Sequence, residues 1–469
     1  MAAPTRLLAA LGTAAACLIA IAPPAAAAPY TPGAPGLGDS YFPELGNGGY
    51  DVKHYDLDLA YDPATDRLEG SAKIAAAATQ RLSRFNLDLH GMTVSEVRVN
   101  GAPARFTREA DELVITPRTG LKKNRPFTVS VKYGGVPQTR GGPIIFGLPY
   151  GWVHTDDGAV VVCEPNGANT WYPANDHPKD KATFTVTMTV PKGLAAIGNG
   201  RLLAQRDRGD KTSFTWFEDR PMATYLATAT IGKFNVSTTR TRKGIWQLDA
   251  VDPDAAAHPD AIATPAATSQ STDELADVYG PYPFTTTGSI TDDNEAGRLG
   301  YALETQSRPV YTRPRNFTTV VHEIAHQWFG NSVSVRDWKH IWLNEGFARF
   351  VQWYWDETHG GIPAQQAFLN AYNSTPADNV FWTYRIGDPT RDHMFQSAVY
   401  TRGGMTLQQL RVKIGDEKFF TVMRRWTAEH KYGTATTDEF IDLAEKVSGQ
   451  QLDSFFHTWL FTTTKPTTW

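Results

Sequence analysis

Two features of the 469-residue sequence predict an α+β multidomain fold, in which an N-terminal all-β, sandwich-like domain precedes a mainly α domain. From position 50 to about 235 apolar and polar residues alternate in short runs separated by turn signals. After about position 237 the apolar spacing becomes that of helices. A chain of this length fits two or three domains, and 41% hydrophobic residues can build a sizeable core.

The first 28 residues read as a signal peptide. Arg6 gives a positive n-region, residues 7–21 an apolar h-region, and the alanines at 25–28 suit the cleavage enzyme. The apolar run is about fifteen residues, short of the roughly twenty that span a bilayer. The expectation is therefore a secreted chain with no membrane association after cleavage. Cys17 leaves with the signal, and Ala14-Ala15-Ala16 before it lacks the bulky residue of a lipidation site. Cys163 is then alone, so no intramolecular disulfide can form. Residues 29–48, rich in Pro and Gly, read as a loose N-terminal lead-in.

The β domain is expected over 49–236. Tyr55, Leu57, Leu59 and Tyr61 alternate with polar residues, as do Phe85, Leu87 and Leu89. Phe127, Val129, Val131 and Tyr133 repeat the pattern, and Phe184, Val186, Met188 and Val190 follow it. Asn100-Gly101 and Gly134-Gly135 mark turns between half-buried strands.

The second domain is expected over 237–469. Helical spacing covers 261–279 and stops at Gly280-Pro281-Tyr282-Pro283, and a mixed segment spans 288–311. Further helices are expected over 317–329, 343–355, 401–412, 419–430 and 438–447. The net charge of −4 and the lack of a Lys/Arg block point to no nucleic-acid and no anionic-membrane partner. Composition leaves the oligomeric state undefined.

The chemistry concentrates at His322-Glu323-Ile324-Ala325-His326. Two histidines four apart on a helix project from one face about one turn apart, so both imidazoles can reach one zinc ion. Glu323 is rotated by about 100° from His322 and flanks the metal, where a base for the attacking water belongs. Asn316 is placed as an N-cap and Gly330 as a C-cap, while Val320, Ile324 and Trp328 give a buried stripe. Eighteen residues separate His326 from Glu345, which opens the next helix in Trp342-Leu343-Asn344-Glu345-Gly346-Phe347-Ala348. A carboxylate there completes a His, His, Glu set with an open position, for one Zn2+ per chain.

HEIAHQWFGN followed at that spacing by WLNEGFA resembles the aminopeptidase N family of gluzincin metallopeptidases, which includes leukotriene hydrolase. Thermolysin-type endopeptidases share the ligands but place the Glu one residue later. The resemblance runs from about residue 50 to the C-terminus and implies a thermolysin-like catalytic domain over 237–469. Tyr400 in Tyr400-Thr401-Arg402-Gly403 resembles the family's Y-x-K-G, which implies that its hydroxyl steadies the oxyanion. Glu304 falls where the family carries G-x-M-E-N, whose Glu grips the substrate's free α-amino group, although Leu303 and Thr305 replace Met and Asn. Glu164, in Val162-Cys163-Glu164-Pro165, resembles Q-F-E-P and implies a second amine anchor, with Val162 in place of Gln. The segment 172–178 resembles F-P-C-x-D-E-P. Larger members continue into a helical domain capping the cleft, so the short form implies a more open cleft.

The resulting expectation is a secreted zinc aminopeptidase acting on peptides with a free N-terminus. An open-cleft endopeptidase and a secreted binding protein with a vestigial site are the alternatives, and epoxide hydrolysis rests on fold analogy alone. His258, His340, His359, His393 and His457 lack ligand spacing. Phe347, Phe350, Trp353, Tyr354 and Trp355 read as core, and Cys163 as a buried inert thiol.

Overall fold

The alternating runs pair into an eight-stranded sheet in the computed structural model, which describes residues 1–5, 28–292 and 299–468. The strand order is Arg201–Arg208, Lys211–Met222, Ala182–Pro191, Tyr50–Asp62, Arg67–Ala78, Pro126–Gly135, Thr93–Val99 and Ala102–Pro103. Tyr50–Asp62 and Ala182–Pro191 run parallel, with Leu57 beside Val186, and the other neighbours are antiparallel. Tyr55, Leu57, Leu59 and Tyr61 are buried while Asp56, Asp58 and Asp62 face solvent, which is the period of two expected of a sheet with one covered face. A bulge between Val52 and His54 resets that parity, so Val52 and Tyr55 are both buried. The apolar sets starting at Phe127 and Phe184 are buried throughout.

Two four-stranded sheets complete the β half. One orders Thr31–Pro32, Leu82–Asp88, Glu112–Thr116 and Arg105–Glu109, and the other Gly151–His154, Ala159–Val162, Ala229–Gly232 and Ala195–Gly198. The expectation of half-buried strands fails in Leu82–Asp88, where Asn86 and Asp88 are buried as well as Phe85 and Leu87. The Asp88 carboxylate accepts from Asp176 N at 2.7 Å, and the backbone carbonyl of Asn86 accepts from Tyr50 Oη at 2.7 Å. The lead-in is likewise not loose. The Asp39 carboxylate, 2% exposed, accepts from the backbone N–H groups of Tyr41, Phe42 and Trp338 and pairs with His177 at 3.1 Å. Pro and Gly announce irregular backbone, but they do not announce whether that backbone docks.

A five-stranded sheet opens the second half: Asn235–Arg240, Trp246–Val251, Thr286–Thr291, Val310–Tyr311 and Ala302–Leu303. It gathers the mixed segment, and its first strand crosses the border expected at 236/237. The longer helices are α1 (Pro259–Tyr279), α2 (Phe317–Ala325), α3 (Trp342–Thr358), α4 (Ala364–Ser374), α5 (Ser397–Ile414), α6 (Asp416–Glu429) and α7 (Thr437–Ser448), and a single turn, α8 (Asp453–Phe456), follows. The sequence reading missed α4, whose start at Pro363 carries no side-chain cap. It also ran α2 four residues too far. After Ala325 the hydrogen bonds tighten to three-residue spacing and then widen to five, as Asn331 N donates to His326 O and Ser332 N to Gln327 O. Gly330 takes its positive φ of 131° in that loop and not at a helix C-cap.

Buried apolar side chains form one continuous cluster through both halves. The Lys181 ammonium crosses between them, donating to the carbonyls of Asn331, Ser332 and Gly433. Among the described residues no helix is long and apolar enough to cross a membrane, and positions 6–27 of the expected signal peptide lie outside them.

α3 and α5 meet glycine on glycine. A methyl group on Gly403 would stand 2.6 Å from Gly346 Cα. This contact sets the spacing between Glu345, next to Gly346, and Tyr400, one turn before Gly403. Gly403→Ala is expected to cost about 1–3 kcal/mol by overpacking, read as a lowered Tm, together with reduced turnover at temperatures where the variant is still folded.

Candidate active site

A cleft of about 280 Å³ runs between the two halves and collects every residue that the motifs single out: Glu164, Glu304, His322, Glu323, His326, Glu345 and Tyr400. α2 carries the first histidine in its last turn and the second at its C-cap, and Asn316 Oδ1 caps its start by accepting from Thr319 N at 3.0 Å. α3 places Glu345 in its first turn, opposite both imidazoles. His322 Nε2 lies 3.3 Å and His326 Nε2 3.5 Å from Glu345 Oε2. Tetrahedral ligands at ~2.0–2.1 Å from zinc lie roughly 3.3 Å apart, so the three donors fit one ion.

The outer nitrogens are also committed. His326 Nδ1 lies 3.0 Å from Phe329 O, a group that can only accept, so this nitrogen is the protonated one. His322 Nδ1 faces Gln352 Oε1 at 3.3 Å, and Gln352 Nε2 is turned the other way to donate to Thr318 O at 2.8 Å. Each imidazole thus points an Nε2 lone pair inward, as partners behind metal-ligating histidines require.

Glu304 and Glu164 arrive from different sheets. Donor atoms of Glu164, Glu304 and Glu345 lie within 4.8 Å of one another, as do those of Glu304, Glu323 and His326. Glu304 follows the strand Ala302–Leu303, and its carbonyl accepts from Gln327 Nε2 at 3.3 Å and Asn331 Nδ2 at 2.6 Å. Gln327 and Asn331 belong to the HEIAHQWFGN segment, so the motif that supplies the histidines also fixes Glu304. Glu164 follows the strand Ala159–Val162. Glu164 Oε1 and Glu304 Oε1 are buried without a hydrogen-bond partner among the described residues.

Four carboxylates thus surround two imidazoles in a buried space. Burial, and then Glu304, drives Glu164 well above the carboxylate range; burial also raises Glu304, with His326 opposing it. Burial pushes Glu323 up to about 8. Burial disfavours charge on Glu345 too, yet the two imidazoles hold it below its ordinary range. Burial works against a proton on His326, but Glu304 and Glu345 outweigh it and raise that pKa. Such a field calls for cations, and the donor chemistry fits a dication in the triad and an ammonium beside Glu164 and Glu304.

α5 starts four residues earlier than expected, so Tyr400 lies within its first turn, and the Tyr400 ring stacks near His322 at 6.1 Å between centroids. Burial raises its phenol well above the usual value, so it stays a donor. Sequence reasoning missed Arg349, one turn after Glu345 on α3, and the apolar wall of Ile145, Phe146, Leu148, Tyr301 and Phe395. Arg349 was detectable as the i+4 neighbour of a ligand, whereas the wall comes largely from an irregular Pro/Gly loop with no period. The remaining histidines are structural: His258 caps α1, His340 bonds Thr437, and His359 pairs with Glu274. His393 bonds Thr390 and lies outside the cleft lining. Cys163 is fully buried, and burial drives its thiol above the usual range.

A β-rich half is joined to a helical half that presents His, His and Glu on two packed helices as one metal-binding triad. The "Peptidase M1 N-terminal domain" matches residues 51–226 and the "Peptidase family M1 domain" residues 301–459; the chain belongs to peptidase family M1. Aminopeptidase M1-D of Oryza sativa subsp. japonica is 25% identical over 448 residues, covering 87% of this chain and 49% of that protein. Probable aminopeptidase 2 of Sulfurisphaera tokodaii is 25% identical over 433 residues, covering 87% and 53%. The chain therefore spans about half the length of the curated relatives it matches. The M1 zinc metallopeptidase of Deinococcus radiodurans superposes with a TM-score of 0.82 at 27% identity, covering 92% of this chain and 98% of that one. A mutant of that protein bound to a Tyr-Ser-Ala substrate superposes with a TM-score of 0.83.

Proposed function

We propose that this chain is a zinc aminopeptidase that removes N-terminal residues from peptides, with His322, His326 and Glu345 as ligands. One observation carries the exopeptidase reading: beside the metal triad, Glu164 and Glu304 each hold a buried oxygen without a partner among the described residues. Two such oxygens suit the α-ammonium of a free N-terminus, and a neutral backbone amide in that place would leave them uncompensated. Relatives named as aminopeptidases and a structural neighbour that binds a tripeptide support the same reading.

With the ammonium held there, the first peptide bond falls over the triad. A zinc ion held by His322, His326 and Glu345 would supply Lewis-acid chemistry, polarising the scissile carbonyl and making a water more acidic. Glu323 stands beside the ligands to take the proton of the attacking water and pass it to the leaving amine, and a carboxylate raised toward neutrality suits both transfers. The Tyr400 hydroxyl donates to the oxygen on which negative charge grows. The apolar wall around Phe146 and Tyr301 shields the site and gives the first side chain an apolar surface.

A panel of aminoacyl-arylamides and peptides, run beside the same panel with acetylated N-termini, tests the reading. Acetylation removes the charge and adds bulk, so cleavage should vanish. A charge-assisted contact is worth about 1.5–3 kcal/mol, so Glu304→Ala should lower kcat/KM about ten- to a hundredfold. Comparable cleavage of free and acetylated peptides would make the protein an endopeptidase.

We further propose export, on the n-region and h-region of residues 1–28 alone. Protein recovered from the medium should begin near residue 29 by N-terminal sequencing. Retention inside the cell with an intact N-terminus would contradict it.

A further inference from the structure

Arg349 is the one cation lining the cleft among the described residues, and the chemistry above does not use it. It sits four residues after Glu345 on α3, so both side chains leave the same face of the helix. Its stem lies against Gly404 of α5, where an added methyl group would stand 2.8 Å from Arg349 Cγ. The guanidinium makes no hydrogen bond or ion pair among the described residues, and its Nε is buried without a partner. A half-buried guanidinium held by its stem and left unpaired beside a cleft is disposed to receive an anion.

Its place along the cleft identifies that anion. Three residues beyond Arg349 on α3, Gln352 meets His322 at 3.3 Å, whereas His326 lies within 4.8 Å of Glu304. The triad thus has an amine end at Glu164 and Glu304 and a cationic end at Arg349. A peptide anchored by its ammonium and carrying its first carbonyl over the triad extends its second residue toward Arg349. One residue of extended chain covers about 3.3–3.6 Å, and neighbouring turns of α3 are about 5–6 Å apart. The group that meets the guanidinium therefore belongs to the residue just after the scissile bond.

We propose that Arg349 binds a carboxylate carried by the second residue of the substrate. That carboxylate is either the free C-terminus of a dipeptide or the side chain of Asp or Glu in a longer peptide. The inference rests on the aminopeptidase reading and adds a specificity determinant to it.

The test compares kcat/KM for Leu-Ala with Leu-Ala-amide and for Leu-Glu-amide with Leu-Gln-amide, in the native protein, Arg349→Met and Arg349→Lys. The native protein should favour the carboxylate member of at least one pair by about ten- to a hundredfold. Preference in the first pair alone identifies dipeptides, and preference in the second alone identifies an acidic second residue. The ratio should fall to about one in Arg349→Met, chiefly through KM, and recover in part in Arg349→Lys. Ratios near one in both pairs of the native protein would overturn the assignment while leaving the aminopeptidase reading intact. Equal losses on charged and neutral members in Arg349→Met would also overturn it, showing that the residue only supports Tyr400 or the packing of α3 on α5. Cleavage of none of the four by zinc-loaded native protein would remove the aminopeptidase reading and this inference together.

Discussion

Glu323→Gln is expected to retain one zinc per chain and to lose about 10²–10⁴-fold in kcat. The residue lies next to His322 in sequence but is rotated off the ligand face, and the three-donor set closes without it. Gln is nearly isosteric and keeps a carbonyl oxygen, but it cannot accept and return a proton at neutral pH. Burial raises Glu323, so the neutral amide should also be tolerated by the fold. Zinc content and turnover measured on the same preparation check the assignment. A variant that lost stoichiometric zinc would show that Glu323 is a ligand.

Glu345→Ala should fail in the opposite way, losing metal and activity together. Only two imidazoles would remain, and zinc hydrolases hold the ion with three protein ligands. Removing the carboxylate takes away the third ligand oxygen, which lies 3.3 and 3.5 Å from the two Nε2 atoms. Fluorescent-chelator competition should show a large drop in zinc affinity, with turnover falling in step. Retention of one tightly bound zinc per chain would take Glu345 out of the ligand set.

The parts of the site written in local spacing were legible in the sequence. His322, His326 and the offset Glu323 follow from helical geometry, and Glu345 from the need for a third donor one helix later. Tyr400, Glu304 and Glu164 carry no such local signal, and only resemblance to known metallopeptidases pointed to them. The fold was legible where one face is buried, as in Tyr55, Leu57, Leu59 and Tyr61. It was not legible where a polar residue is satisfied internally, as Asp88 is, because burial then leaves no alternation. Asp39 illustrates a related gap: its partners His177 and Trp338 are far away in sequence, so a Pro/Gly-rich segment looked loose. The early end of α2 escaped for another reason. Gln327, past the observed end of α2, joins Asn331 in holding the Glu304 carbonyl, a tertiary demand that overrides helical propensity.

The most direct measurement strips the protein of metal with a chelator, returns zinc in steps, and follows hydrolysis of a free-amine arylamide at each step. Activity should be lost on stripping, rise in proportion to bound zinc, and level off at one zinc per chain, while the N-acetylated arylamide stays uncleaved throughout. Hydrolysis that survived complete removal of the metal, or that proceeded equally on the acetylated compound, would contradict a zinc aminopeptidase built on His322, His326 and Glu345.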